Sequence, residues 1–267
     1  MKIFLLLGLL AAVSAALVVA GRRRRGPVRR LVPAERRYLE RQFRWLARLD
    51  LGQRASWERQ VSRFLGRIVF EGCGGLDVTD EMRLVIAAQA CLLALGRDRD
   101  PFAKLVTVLV YPTGFSAPVS HALGSNVVIE RKDNRIGESW GRGQVVLAWD
   151  EIDPEHRDPL MSGNLVLHEF AHQLDAENGD DDGVPVLERG LEANWQRVMG
   201  REYLSLREKA GRGEDTFLDP YGSESPAEFF AVATEAYFEE GDELQRRHPD
   251  LYRLLKAFYR VDGSSLA

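Results

Sequence analysis

The chain has 267 residues, of which 45% are hydrophobic and 28% charged, a composition typical of a protein with a packed core rather than of a disordered chain. Its formal net charge of −4 hides an asymmetry, because residues 1–30 contain seven basic residues and no acid. The rest of the chain therefore has 29 basic against 40 acidic residues, a formal charge of −11, which argues against nucleic acid as a partner of the main domain. The two cysteines, Cys73 and Cys91, are too few for a disulfide framework, and we expect both to be buried apolar residues.

The N-terminus contains an uncharged run from Ile3 to Ala20, which at 1.5 Å per residue is long enough to cross most of a hydrocarbon core. It predicts a transmembrane helix, and the alternative is a cleavable signal peptide. The arginine cluster at 22–25 directly follows the run, which favours a retained anchor with the following domain on the cytoplasmic side and attracts anionic lipid. We therefore predict a transmembrane anchor at 1–21, a basic juxtamembrane linker at 22–32 and one globular domain at 33–262.

Most of the remaining chain has the apolar spacing of helices, and its middle has the short β-branched runs of strands. Thr79 is a predicted N-cap and Gly96 a predicted stop for one of these helices. Helices are predicted at 34–48, 54–70, 80–95, 162–177, 187–209, 226–240 and 243–260. Strands are predicted at Leu105 to Tyr111, Asn126 to Arg131 and Gln144 to Trp149.

The helix at 162–177 contains His168 and His172, which lie on the same face because they are four residues apart. Two imidazoles in this arrangement can bind one zinc ion, and the adjacent Glu169 can take a proton from a water molecule that the ion acidifies. The pattern therefore predicts a catalytic Zn2+ site with Glu169 as the general base. The alternative is an amphipathic helix whose histidines are half-buried polar groups that neighbouring residues satisfy.

A catalytic zinc ion needs a third protein ligand and one open position. Glu228 is the first candidate, because it begins a second amphipathic helix that can pack against the first. The same residue, three positions after Ser225, also fits a capping box, so the residues alone leave its role open. Glu235, seven residues further on, is the rival ligand or a hydrogen-bond partner of a ligand histidine.

Other acids follow the histidine helix. Asp175 lies close to one turn after His172, where it can orient the imidazole or cap the helix, and the sequence does not separate these roles. The acids at 180–182 are interpreted as a solvated loop. The third histidine that the metzincins place at position 178 is absent, since this chain has Asn178 there.

Taken together, these residues resemble the Mlc titration factor A family, zinc peptidases of the gluzincin type in which a glutamate is the third ligand. The resemblance covers most of residues 35–260, and several motifs occur in the same order. The matching segments are Leu109 to Pro112, Glu138 to Trp140, Gly143 to Trp149, His168 to Asp175, Asn178 to Asp180, Gly183 to Pro185, Tyr221, and Pro226 to Val232. The arginine-flanked hydrophobic leader departs from the enterobacterial members of the family.

The resemblance implies that Glu228 is the third zinc ligand and that Glu235 supports the site. It also implies that Tyr221 lies near the metal, where its hydroxyl can donate to the developing oxyanion, although Tyr221 can also be an ordinary turn residue. The strand at 143–149 would then be the sheet edge along which an extended peptide pairs. The implied fold is α+β, a zincin-like metallopeptidase domain that is mostly helical with a small mixed sheet, preceded by the transmembrane helix.

These predictions define a zinc-dependent peptidase whose substrate is a peptide or protein. It is predicted to be a single-pass protein of the bacterial inner membrane, with its catalytic domain facing the cytoplasm. The alternative function is a regulatory protein that sequesters a transcriptional repressor, the partner after which the family is named, with zinc structural or hydrolysis incidental. A third possibility is a membrane-linked helical adaptor without a metal.

Overall fold

The computed structural model describes residues 30–113, 143–153 and 163–266. The predicted transmembrane anchor, nearly all of the basic linker and the predicted strand at 126–131 lie outside these ranges. Within them, no helix combines the length and the apolar character that a membrane span requires.

The N-terminal part of the described fold contains three helices, α1 (Pro33–Gln42), α2 (Leu51–Arg67) and α3 (Asp80–Leu93). The helix predicted at 34–48 ends early and continues as a 3-10 turn, Arg44–Arg48. The N-cap of α3 is confirmed, since the Thr79 hydroxyl accepts a hydrogen bond of 3.2 Å from the third residue of the helix. Nearly every residue of α3 beyond its first turn is buried, so this helix forms part of the core.

The sheet has three described strands, β1 (Val69–Gly72), β2 (Thr107–Tyr111) and β3 (Gln144–Ala148), in the order β1-β2-β3. Both pairs are parallel, so the mixed sheet predicted from the sequence is wrong for the strands that the structure describes. The physical reason is that α3 crosses between β1 and β2, whereas an antiparallel pair can be joined by a short hairpin. The β1 strand was not predicted, because it directly follows α2 and its first two residues were interpreted as the end of that helix.

The C-terminal part consists of α4 (Leu165–Asp175), α5 (Glu192–Gly211), α6 (Pro226–Glu239), α7 (Gly241–Arg247) and α8 (Pro249–Tyr259). The single helix predicted at 243–260 is therefore two helices. Proline has no N–H and disfavours helical geometry in the residue before it, and His248 accordingly leaves the helical region, with φ −132° and ψ 60°.

The core holds α4 between α6, α3 and β3. Phe170 of α4 is fully buried, and its ring centroid lies 5.7 Å from that of Phe64 on α2 and 5.1 Å from that of Phe102. Edge-to-face and tilted ring contacts of this kind stabilise a core beyond simple burial. The helix that contains both histidines is thus fixed in the centre of the described fold.

Candidate metal centre

Helix α4 begins at a polar cap that is itself buried. Asn164 Oδ1 accepts a hydrogen bond of 3.1 Å from the Leu167 backbone N–H, and Asn164 Nδ2 donates to Gln89 Oε1 at 2.6 Å and to Glu239 Oε1 at 2.7 Å. Side-chain capping of this kind satisfies helix N–H groups that have no partner within the helix. The cap joins α4 to α3 and α6, which fixes the position of the histidines that follow it.

The two histidines of α4 lie side by side, as their spacing predicts. His168 Nε2 and His172 Nε2 are 3.3 Å apart, and only 13% and 15% of their side chains are exposed. The structure therefore directs both imidazoles to one point on the surface of α4.

Glu228 of α6 meets both imidazoles. Its Oε2 atom lies 3.0 Å from His168 Nε2 and 3.4 Å from His172 Nε2, and its side chain is 1% exposed. The Ser225 hydroxyl caps α6 by accepting from the Glu228 backbone N–H at 3.1 Å, so the half of the capping box that Ser225 contributes is present. The Glu228 carboxylate contacts the histidines, while its backbone N–H takes part in the helix cap. The two roles that the sequence left open, contact with the histidines and capping, therefore occur together.

The donor atoms fit a divalent cation. One nitrogen from each histidine and one oxygen of Glu228 lie within 4.8 Å of one another. Two imidazoles and one carboxylate are the donor types that zinc and related ions bind, and three protein ligands are the number that a catalytic zinc site uses. The described residues therefore provide a set of ligands that can hold a metal ion.

The pKa shifts of the three residues in the cluster also favour positive charge at this point. Burial opposes the charged form of His168, but the carboxylates of Glu228 and Glu235 outweigh it and raise its pKa to about 9. Burial acts in the same direction on His172, and Asp181 and Glu228 nevertheless raise its pKa well above the ordinary value. Burial also opposes ionisation of Glu228, but the two imidazoles lower its pKa. A cation at this point would be attracted by the same carboxylates.

Glu235, the rival ligand, contacts the opposite nitrogen of the same ring. Its Oε1 atom lies 2.6 Å from His168 Nδ1, and its Oε2 accepts from the Asn164 backbone N–H. An acceptor at Nδ1 fixes the tautomer and leaves the Nε2 lone pair available to a metal. Glu235 therefore contacts His168 from outside the cluster of His168, His172 and Glu228, in a supporting position.

Glu169 and Tyr221 lie next to the cluster. Glu169 is half-buried, and burial raises its pKa, the direction that suits a general base. The ring of Tyr221 lies 5.9 Å, centroid to centroid, from that of His168. Burial and the carboxylate of Glu228 raise the pKa of the Tyr221 hydroxyl, which stays protonated and able to donate.

The loop after α4 contributes an acid that the sequence did not single out. The interpretation of residues 180–182 as a solvated loop is confirmed, since all three acids are exposed, but Asp181 Oδ1 also lies 3.6 Å from His172 Nδ1. Asp175 instead accepts a hydrogen bond of 2.6 Å from the Gly183 backbone N–H, which anchors the loop to the end of α4. Only the spacing of nine residues between Asp181 and His172 links them in the sequence, and such spacing has no periodic meaning across a loop.

The strand β3 lies beside this centre, in contact with α4. Among the strands that the structure describes, it pairs only with β2, so its outer edge has no strand partner within the described ranges. An unpaired edge of this kind can accept an extended chain as an additional strand.

Two packed helices that direct two histidines and a glutamate to one point, beside a small sheet, fit the class of metal-dependent hydrolases. Comparison with known proteins specifies the class further. A family model described as the glucose-regulated metallopeptidase family M90 matches residues 19–260, and the chain belongs to this family.

The relatives of the chain agree with this assignment. It is 42% identical to the uncharacterized protein slr2042 of Synechocystis over 81% of this chain and 79% of the relative. It is 35% identical to Mlc titration factor A of Pectobacterium atrosepticum over 70% of this chain and 71% of the relative. It is 30% identical to Mlc titration factor A of Klebsiella pneumoniae over 81% and 82%. The resemblance to the Mlc titration factor A family is thus confirmed, and the family is one of metallopeptidases.

Proposed function

We propose that this chain is a zinc-dependent peptidase of the gluzincin type, in which His168, His172 and Glu228 hold the ion. The observation that carries the proposal is the convergence of three donor atoms within 4.8 Å, with Glu169 adjacent to His168 in the helix. A purely structural zinc site has four protein ligands and no use for a neighbouring base.

When bound, the ion supplies Lewis-acid chemistry, lowering the pKa of a water molecule and polarising the carbonyl of the peptide bond. Glu169 accepts the proton that this water loses and then returns it to the leaving amine. Burial raises the pKa of Glu169, which brings its proton affinity nearer to what both transfers need. The Tyr221 hydroxyl, kept protonated by burial and by Glu228, donates to the oxygen that becomes negative during attack.

The substrate in this proposal is an extended peptide that pairs with the outer edge of β3. Backbone pairing holds any sequence in an extended form, and side-chain pockets add specificity. The contact between β3 and α4 supports this choice, because it brings a strand edge next to the helix of Glu169.

We further propose that residues 1–21 anchor the enzyme in the bacterial inner membrane, with the domain at 33–262 facing the cytoplasm. The support is the uncharged run from Ile3 to Ala20 followed by the arginines at 22–25. Protease accessibility of the domain in right-side-out and inverted vesicles tests the orientation. Digestion only in inverted vesicles is expected, and digestion only in right-side-out vesicles would refute it.

The test of the chemistry compares the full-length wild-type protein with Glu169→Gln and with Glu81→Gln, an exposed glutamate on α3 that serves as a charge-matched control. Bound zinc is measured by elemental analysis, and cleavage by mass spectrometry of an unfolded protein substrate. We expect Glu169→Gln to retain zinc and to lose turnover by about a hundredfold or more, while the control is unchanged. Full turnover by Glu169→Gln would refute the proposed mechanism.

A second candidate function follows from the name that two of the relatives carry, a factor that titrates Mlc. In that case the chain acts by binding a repressor, and hydrolysis is incidental. Glu169→Gln separates the two functions, because it should abolish a cleavage-dependent effect on a partner and leave a binding-dependent effect intact.

A further inference from the structure

The two histidines of the cluster differ in the partner of their outer ring nitrogen. In His168, Nε2 faces Glu228 and Nδ1 lies 2.6 Å from Glu235 Oε1. In His172, Nε2 faces the same oxygen of Glu228 at 3.4 Å, which leaves Nδ1 on the side of the ring away from the cluster. This Nδ1 atom is buried and forms no hydrogen bond within the described part of the chain.

A metal ion on Nε2 determines what the Nδ1 atom of His172 requires. A neutral imidazole that binds a metal through Nε2 carries its proton on Nδ1, so Nδ1 becomes a donor. Ligand histidines almost always give this N–H to a carboxylate, a carbonyl or water, which fixes the orientation of the ring. A buried N–H without an acceptor destabilises the fold, so a loaded metal centre needs an acceptor at this atom.

Asp181 lies where such an acceptor is needed. Its Oδ1 atom is 3.6 Å from His172 Nδ1, nearer than any other carboxylate oxygen of the described ranges. An N–H···O hydrogen bond measures about 2.9 Å, so a movement of about 0.7 Å would complete this contact. The Asp181 side chain is 54% exposed, which leaves room for a movement of this size.

The loop at 178–184, which contains Asp181, is held in shape by its own hydrogen bonds. The Asn178 side chain accepts from the Asp180 backbone N–H at 2.9 Å and donates to the Val184 carbonyl at 2.9 Å. One side chain thus connects the beginning of the loop to its end. Asp181 lies between these two fixed points, so its position follows from the shape of the loop.

Gly183 connects the same loop to two helices. Its backbone N–H donates to Asp175 Oδ2 of α4 at 2.6 Å, and its carbonyl accepts from the buried indole N–H of Trp195 on α5 at 2.9 Å. Both polar groups of one backbone unit are therefore used to fix the loop against the helix that contains His172. This attachment keeps Asp181 beside the imidazole.

We propose that Asp181 is a positioning residue of the metal centre, whose carboxylate accepts the Nδ1–H of His172 and orients that imidazole toward the ion. The inference rests on the proposed function, because it requires a metal ion on His172 Nε2. The two histidines are then supported in different ways, His168 by Glu235 of α6, which is 12% exposed, and His172 by an exposed loop. Metal affinity therefore depends on the conformation of residues 178–184.

The test measures the zinc affinity of the full-length protein by competition with a fluorescent chelator, and the Nδ1–H proton of His172 by NMR of the zinc-loaded protein. Asp181→Ala removes the acceptor, whereas Asp181→Asn keeps one acceptor oxygen without the charge. Asp180→Ala is the matched control, because Asp180 is an exposed acid of the same loop whose carboxylate forms no ion pair within the described ranges.

A second pair of variants tests whether the loop acts through Asp181. Asn178→Ala removes two hydrogen bonds of the loop without contacting either histidine. It should weaken zinc binding in the wild-type background and have no further effect in the Asp181→Ala background, because residues that act as one unit are not additive. Equal effects in both backgrounds would overturn the role given to Asp181.

We expect the zinc Kd to rise by about 10–100-fold in Asp181→Ala, by less in Asp181→Asn, and to stay within about twofold of the wild type in Asp180→Ala. The Nδ1–H resonance of His172 should move upfield in Asp181→Ala and keep its position in the control. A general loss of stability does not produce this selective shift.

Two results would overturn the inference while leaving the proposed function intact. In the first, the wild type binds zinc and Asp181→Ala retains both the affinity and the Nδ1–H resonance. In the second, Asp181→Ala and Asp180→Ala weaken zinc binding alike, which would show an effect of charge alone. A wild-type protein that binds no zinc would overturn the proposed function together with the inference.

Discussion

The contact between Glu235 and His168 allows a quantitative prediction of how tightly the metal centre binds zinc. Two donors meet this carboxylate, the Nδ1–H of His168 at 2.6 Å and the backbone N–H of Asn164. Glu235→Gln preserves the size of the side chain but offers one acceptor oxygen in place of two. One of the two donors must then face an NH₂ group, and the hydrogen bond to His168 loses its charge assistance.

The expected size of this effect follows from the position of the contact. A partner that orients a ligand histidine typically accounts for about 10–100-fold in metal affinity. The donor left without an acceptor is part-buried and costs about 1–3 kcal/mol of folding stability. We therefore expect the zinc dissociation constant of Glu235→Gln to rise by about 10–100-fold, with a lower melting temperature for the metal-free protein.

Competition titration against a fluorescent zinc chelator measures this affinity, and differential scanning calorimetry of the metal-free protein measures the stability. The control is Glu240→Gln, an exposed glutamate at the end of the same helix. A zinc affinity for Glu235→Gln within about twofold of the wild type would refute the supporting role. Complete loss of zinc binding, with Glu228→Ala still binding, would show that Glu235 is a ligand itself.

Three further predictions concern residues around the cluster. Tyr221→Phe should lower kcat by about a hundredfold, as loss of an oxyanion donor does, while zinc content stays at the wild-type level in elemental analysis. Burial raises the pKa of Asp175 from 3.8 to about 7, so its contribution to stability is full below pH 3.8 and is lost as the pH rises through 7. Urea denaturation should therefore find Asp175→Asn more stable than the wild type at pH 8 by at least about 1.4 kcal/mol, with the difference disappearing in acid. Gly183 has φ +79°, and an added Cβ would lie 2.4 Å from the Pro226 carbonyl oxygen, so Gly183→Ala should cost at least about 2 kcal/mol in the same assay.

Each of these predictions has a contrary result. Unchanged kcat in Tyr221→Phe would remove the proposed oxyanion donor. An Asp175→Asn variant with the same pH dependence as the wild type would show that Asp175 is ionised without cost. Gly190→Ala is the control for Gly183→Ala, because Gly190 has φ +91° with nothing within 4 Å of an added Cβ. Equal losses in the two glycine variants would show that backbone strain alone, and not the contact with Pro226, determines the cost.

The sequence predicted the helices well where apolar spacing and caps agree. Helix α3 has an N-cap and an apolar interior, and its predicted bounds are close to the observed ones, although it ends at Leu93 with Ala94 as its C-cap and not at the predicted stop, Gly96. The prediction failed where local signals conflict with tertiary structure. Residues 68–70 extend the apolar pattern of α2, but pairing of β1 with β2 overrides it. The mixed sheet was wrong for a similar reason, since strand direction depends on the path of the connections and not on strand composition.

Within the site, the pair His168 and His172 could be predicted because a helix converts a spacing of four into proximity. Glu228 is sixty residues away from His168, so only the family resemblance favoured the prediction of a ligand over that of a capping residue. The contact of Asp181 with His172 depends on the shape of the loop that Asp175 and Gly183 anchor, and no periodic pattern encodes such a shape.

The central claim is that one divalent cation lies between His168, His172 and Glu228. Anomalous diffraction at the zinc absorption edge from crystals of the zinc-loaded protein tests it most directly. We predict a single strong peak about 2.0–2.2 Å from one nitrogen of each histidine and one oxygen of Glu228, with no fourth protein ligand. A peak bound to Glu235 in place of Glu228, a fourth side chain on the metal, or no peak between the three residues would contradict the claim.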